Sequence, residues 1–102
     1  MNSAIIVAGG SGERAKTNIP KQFFYISDKI RIIDYSIDLL SSNNHINEII
    51  VVVPKGWEAI IKQENPNCKI VIGGNNRTES VFEGLKVCSK KTKNVIIHDA
   101  AR

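Results

Sequence analysis

Residues 4–14 read Ala4-Ile5-Ile6-Val7-Ala8-Gly9-Gly10-Ser11-Gly12-Glu13-Arg14, an apolar, β-branched run stopped by glycines. This is the pattern of a buried parallel strand feeding a phosphate-binding turn. Glycine lacks a Cβ, so successive backbone N–H groups can converge on one point and a ligand can approach closely. Arg14, Lys16 and Lys21 bring three cationic side chains to the same neighbourhood. Glycine amides with clustered cations suit a polyanion, most simply a nucleotide polyphosphate.

Working outward, Phe23-Phe24-Tyr25-Ile26 is a short apolar run ended by the turn residues Ser27-Asp28-Lys29. Ile33, Ile37 and Leu40 recur at helical spacing and predict an amphipathic helix from Ile32 to about Ser42. Glu48 to Val53 reads as a second buried strand stopped by Pro54, and Trp57, Ile60 and Ile61 mark a second helix ending near Asn65-Pro66. Lys69 to Ile72 is a third strand, closed by Gly73-Gly74. Val81, Leu85 and Cys88 mark a third helix, with Thr78 or Asn76 as its N-cap, and Asn94 to Asp99 is a fourth strand. The alternation β-α-β-α-β-α-β predicts a Rossmann-like parallel α/β sheet of about four strands with right-handed crossover helices. If the first strand is central, it neighbours the fourth, and their C-terminal ends form the switch-point crevice where such sheets bind ligands. That placement brings Gly9–Arg14 beside Asp99. Four strands with three helices leave one face thinly covered, and a chain halting just after a strand reads as a truncated domain.

The composition agrees with one domain or part of one: 102 residues, 42% hydrophobic and only 6% aromatic, with Ile and Val filling the core. The formal charge of +4 invites a nucleic-acid reading. It is set aside because no aromatic-basic platform is present and Lys90, Lys91 and Lys93 read as a solvated loop. Cys68 and Cys88 lack a CxxC partner and read as reduced, structural thiols, pointing to the cytoplasm. The N-terminus has no basic n-region, and no apolar run reaches transmembrane length.

Two phosphate-loop motifs nearly fit. Gly10-Ser11-Gly12-Glu13-Arg14-Ala15 matches the dinucleotide fingerprint G-x-G-x-x-A, but Pro20 would cut its helix and the second strand ends without a carboxylate. Gly10 to Thr17 approaches a P-loop, with Ala15 where the last glycine belongs and Pro20 again following closely. A third reading uses residues the others leave idle. Ala8-Gly9-Gly10-Ser11-Gly12-Glu13-Arg14 followed by Pro20-Lys21-Gln22 resembles the signature of nucleotidyltransferases that load a sugar or polyol phosphate onto a nucleotide. Gly73-Gly74-Asn75-Asn76-Arg77-Thr78-Glu79-Ser80-Val81, Gly84-Leu85 and His98-Asp99-Ala100-Ala101-Arg102 narrow it. In this order and spacing they resemble the 2-C-methyl-D-erythritol 4-phosphate cytidylyltransferase family, over the N-terminal part of a longer family sequence.

The resemblance implies a nucleotide-diphospho-sugar transferase type of fold. Residues 1–102 become the CTP-binding part of a single cytidylyltransferase domain in a homodimeric protein of non-mevalonate isoprenoid biosynthesis. The partners are CTP and methylerythritol phosphate, with Mg²⁺ as cofactor and neither nucleic acid nor membrane involved. On this template Ala8, Gly9, Gly10, Ser11 and Gly12 wrap the base and phosphates of CTP. Arg14 and Lys21 are catalytic, stabilising charge at the α-phosphate, and Pro20 aims Lys21. Gly74 and Asn75 lie against cytosine with Ser80 nearby. Asp99 and Ala100 face the nucleotide, Asp99 also meeting the metal, and Arg102 reaches toward the second substrate. Alternatives from the same residues are a ribitol-5-phosphate cytidylyltransferase and a P-loop-like nucleotide-binding module without this chemistry. Arg77 reads equally as a phosphate contact or as an anchor of the Gly73-Gly74 turn. His98 and Trp57 read as packing residues, and His45 and Lys16 as exposed.

Overall fold

A computed structural model describes residues 1–8, 21–23, 25–27 and 30–100. Four strands form a parallel sheet: β1 (Asn2–Val7), β4 (Glu48–Val53), β5 (Lys69–Ile72) and β6 (Asn94–Asp99), in the order β5-β4-β1-β6. A separate antiparallel pair, β2 (Tyr25–Ser27) and β3 (Ile30–Arg31), precedes α1 (Ile32–Ser41). Helices α2 (Glu58–Glu64) and α3 (Arg77–Lys86) complete the crossovers. The central first strand pairs with the second and fourth parallel strands, as its apolar run predicts.

Side chains of β1 alternate between two cores. Ala4, Ile6 and Ala8 pack with Ile33, Ile37 and Leu40 of α1 and Ile61 of α2, while Ile5 joins Ile50 and Val52 under α3. Ala4, Ile5 and Ile6 are fully buried, which explains why the strand reads as one unbroken apolar run. Among the described residues the second core is the smaller. On the outer strand β6, Val95, Ile96 and Ile97 are 37–44% exposed.

Helix α3 sits close to the sheet because Gly84 faces it: a Cβ there would lie 2.8 Å from Ile5 Cγ2 and 3.1 Å from Val52 Cγ2. Its N-terminus is capped by Asn76, whose side-chain oxygen accepts from the Glu79 N–H at 2.8 Å, leaving Thr78 inside the helix. The sequence reading missed the β2–β3 pair and the 3₁₀ turn Lys21–Phe23 before it. Both are organised by Arg31, whose pattern gives no warning. Its guanidinium donates to the Phe23 carbonyl at 2.8 Å, to the Tyr25 hydroxyl at 2.8 Å and to Glu64 at 3.0 and 3.1 Å. Arg31 also lies 4.2 Å from the Tyr25 ring centroid, and Phe23 stacks on Trp57 at 4.4 Å. The hydrogen bond to Glu64 leads in holding Arg31 charged, against the cost of its burial.

At the N-terminal ends of the strands, Glu48 gathers three donors. Ser3 Oγ lies 2.8 Å and the Ser89 N–H 3.0 Å from one oxygen, and Lys69 Nζ lies 2.6 Å from the other. Burial pushes the Glu48 carboxyl up, but bonds from Lys69, Ser89 and Ser3 together hold it below its ordinary value. A carboxylate lowered on folding contributes stability that is complete above the ordinary range of about pH 4–4.5 and is lost as pH falls. Thermal melts from pH 7 to 3 are therefore expected to show Glu48→Gln less stable than the wild type at neutral pH. The gap should close on acidification; a constant gap would count against the cluster. Gly84→Val should destabilise the fold by roughly 1–3 kcal/mol through overpacking, seen as a lower denaturation midpoint at unchanged m-value. An unchanged midpoint would mean that α3 can lift off the sheet without cost.

Candidate functional site

The C-terminal ends of β1, β4, β5 and β6 meet the N-terminus of α3. Beyond β1, the Ala8 N–H donates to the Val52 carbonyl at 2.8 Å, and the Ala100 N–H donates to the Val7 carbonyl at 3.1 Å. Ala8 and Ala100, both nearly fully buried, thus flank the point where the chain reverses its winding direction. In an open parallel sheet, this switch point leaves a crevice because neighbouring connections depart to opposite faces. Val7 is in register with Asp99, so the end of β1 adjoins the Asp99 strand position.

The Gly73-Gly74 turn forms one wall. The Gly73 N–H donates to the Val53 carbonyl at 2.8 Å, and the Gly74 N–H donates to Ser80 Oγ at 3.2 Å. Ser80 is fully buried, and a Cβ on Gly73 would approach its Oγ to 2.6 Å. The turn can lie this flat against α3 only without side chains. Asn75 is exposed at the turn, before the Asn76 cap.

Arg77, in the first turn of α3, reaches across to Asp99: Nε lies 3.0 Å from Oδ1 and Nη2 3.5 Å from Oδ2. The Asp99 side chain is 27% exposed and that of Arg77 58%. The sequence left Arg77 between two roles, and no spacing rule links positions 22 residues apart. His98 sits behind the crevice, with Nε2 3.1 Å from Ser36 Oγ, which also donates to the Ala100 carbonyl at 3.4 Å. It is a packed strand-end residue. The Gln22 amide donates to the Ala8 carbonyl at 2.6 Å, tying the 3₁₀ turn to the end of β1.

Of the site residues read from sequence, Ala8, Gly74, Asn75, Ser80, Asp99 and Ala100 cluster at this end of the sheet. Lys21 opens the 3₁₀ turn that Gln22 fastens there. Gly9, Gly10, Ser11, Gly12, Arg14, Lys16, Pro20 and Arg102 lie outside the described residues. After Pro20 the chain runs into a 3₁₀ turn and a strand. Among the described residues from 21 to 27 there is none of the long helix that the P-loop and dinucleotide readings require. His45 is exposed. Cys68 and Cys88 are free, and burial pushes both thiols up, as expected of structural cysteines.

A cavity of about 530 Å³ lies elsewhere, between β2–β3, α1 and the end of α2, lined by Tyr25, Tyr35, Asp34, Asp38 and Glu64 among others. Three carboxylates make it hostile to a triphosphate, and burial raises Asp34 from its ordinary value. The strand-end crevice is therefore the candidate site. Among the described residues, no helix is long and apolar enough to cross a membrane.

A family model described as 2-C-methyl-D-erythritol 4-phosphate cytidylyltransferase matches residues 2–102. Relatives of that name from Clostridium botulinum (strain Langeland) and Clostridioides difficile (strain 630) are 43% and 40% identical. The matches cover 99% and 100% of this chain, but only 46% and 45% of those proteins. The chain thus spans about half the length of the curated relatives it matches. Among solved structures, 4-diphosphocytidyl-2C-methyl-D-erythritol synthase from Anaerococcus prevotii superposes with a TM-score of 0.79 at 33% identity, covering 99% of this chain and 43% of that one. The Francisella tularensis cytidylyltransferase gives 0.75 at 26% identity, covering 100% and 45%. With a family model matching nearly every residue and the strand-end crevice in place, the chain belongs to the 2-C-methyl-D-erythritol 4-phosphate cytidylyltransferase family.

Proposed function

We propose that residues 1–102 are the CTP-binding part of a single cytidylyltransferase domain, and that the protein joins CTP to 2-C-methyl-D-erythritol 4-phosphate. The phosphate oxygen of the second substrate attacks the α-phosphorus of CTP, the α–β P–O bond breaks, and pyrophosphate leaves with the electron pair. The observation that carries this reading is the convergence of the Gly73-Gly74 turn, Ala8 and Asp99 at the switch point in a chain of this family. Such transfers depend mainly on positioning the reactants in line and neutralising charge on the transferred phosphate.

The chain's own residues divide this work. The turn backed by Ser80 is held flat against α3 and supports Gly74 and Asn75 lying along the edge of a small base. Ala8 through Gly12 follow the base and phosphates, with Ala100 closing the opposite flank. Arg14 and Lys21 supply positive charge at the α-phosphate, and Arg102 meets the incoming phosphate. Asp99 is the metal-facing carboxylate. Among the described residues no three His, Cys, Asp or Glu side chains gather as a metal cage. A single carboxylate such as Asp99 suits Mg²⁺, which takes one or two carboxylates and completes its shell with phosphate oxygens and water. Bound there, Mg²⁺ supplies further neutralisation of the triphosphate. The protein acts in the cytoplasm in non-mevalonate isoprenoid biosynthesis, as a homodimer, without nucleic-acid or membrane partners.

Calorimetry of the full-length protein with Mg²⁺ is expected to show CTP binding more tightly than ATP or GTP, because a purine is too large for the space beside the turn. Equal binding of ATP would return a general nucleotide-binding module to first place. Turnover with methylerythritol phosphate should exceed that with ribitol 5-phosphate; the reverse preference would select the ribitol enzyme. Arg14→Ala and Lys21→Ala should each lower kcat by roughly 10²-fold or more, since each charge acts on the transition state. A change confined to the KM for CTP would assign them to ground-state binding instead.

A further inference from the structure

Arg77 is a cation in a place where helix electrostatics does not want one. It occupies the first turn of α3, the positive end of the helix dipole. The cap does not need it either, because Asn76 and Glu79 satisfy each other there. Asn76 Oδ1 accepts from the Glu79 N–H at 2.8 Å, and Asn76 Nδ2 donates to Glu79 Oε2 at 2.9 Å. What Arg77 does instead is lay its guanidinium along both oxygens of Asp99. It is also the outer partner of that pair, 58% exposed against 27%, so it can swing into water without uncovering the core. Exposed ion pairs of this kind add little to stability. Neither the helix nor the fold accounts for the residue.

We propose that Arg77 is the resident counter-ion of Asp99, exchanged for the divalent cation when metal and nucleotide enter together. The proposal rests on the reading of Asp99 as the metal-facing carboxylate. A divalent cation coordinated to Asp99 would stand within a few ångströms of a guanidinium engaging the same two oxygens, and like charges that close repel strongly. Among the described residues Asp99 is part of no group of three ligating side chains, so what they offer a free metal ion is a weak ligand set. Free metal therefore displaces Arg77 poorly, whereas metal carried on a triphosphate brings the additional ligands to do so. The pair makes metal binding conditional on nucleotide, and it keeps the Asp99 carboxylate neutralised between turnovers.

The test uses Mn²⁺ as the probe, with free Mn²⁺ read by electron paramagnetic resonance in the full-length protein, with and without CTP. Arg77→Gln removes the charge while keeping a hydrogen-bonding side chain, and should tighten Mn²⁺ binding without nucleotide by about tenfold. Binding with CTP should change far less, so the cooperativity between metal and nucleotide falls. Arg77→Lys, which restores the charge, should return both values toward the wild type. Weaker or unchanged Mn²⁺ binding by Arg77→Gln without CTP overturns the exchange while leaving the metal role of Asp99 intact, provided Asp99→Asn lowers Mn²⁺ binding. If Asp99→Asn leaves Mn²⁺–CTP binding untouched, the metal assignment itself fails and takes the exchange with it. Thermal melts of each variant separate these outcomes from loss of fold.

Discussion

Ala4, Ile5 and Ile6 are fully buried, with β4 hydrogen-bonded along one edge of their strand and β6 along the other. A strand so enclosed must have both its faces covered, because each residue points to one side or the other and none can point to water. The alternation of β1 therefore dictates where the helices go: α1 and α2 over Ala4 and Ile6, α3 over Ile5. Gly84 is the matching feature on α3, the missing side chain that lets the helix come down onto Ile5 and Val52. Once these layers are fixed, the position of every strand end follows. The crevice is a consequence of the enclosure of β1 rather than a separate construction.

The two ends of the sheet use polar residues differently. At the N-terminal end, Glu48 is saturated by Ser3, Ser89 and Lys69, and the carboxylate stays charged because its donors outweigh its burial. Buried polar groups satisfied so fully add to the rigidity of the fold. At the C-terminal end, Asp99 is more open, and its ion-pair partner Arg77 remains largely in water. Between them, Arg31 fastens the β2–β3 pair and the 3₁₀ turn to α2 through Phe23, Tyr25 and Glu64. Gln22 carries that attachment to Ala8. In this way the segment bearing Lys21 is anchored to the sheet.

The sequence alone determined the order and kind of the main elements. Their signals are local: unbroken β-branched runs for β1, β4 and β5, helical spacing of Ile33, Ile37 and Leu40, and glycine pairs at strand ends. It determined the family as well, because the Gly73–Val81 and His98–Arg102 stretches are contiguous motifs. The adjacency of the first and last parallel strands was legible only on condition that the apolar β1 is central, which the pairing of β1 with β6 meets. The tertiary structure alone decided which side chains meet across long separations. Arg31 with Glu64, Glu48 with Lys69, and Arg77 with Asp99 are pairs whose partners lie 33, 21 and 22 residues apart. Single charged residues carry no periodic signal, and any of several acids could have received each base. Packing chose among them: the register of β1 against β6 and the descent of α3, through Gly84, onto Ile5 and Val52 bring Arg77 and Asp99 to one edge of the crevice.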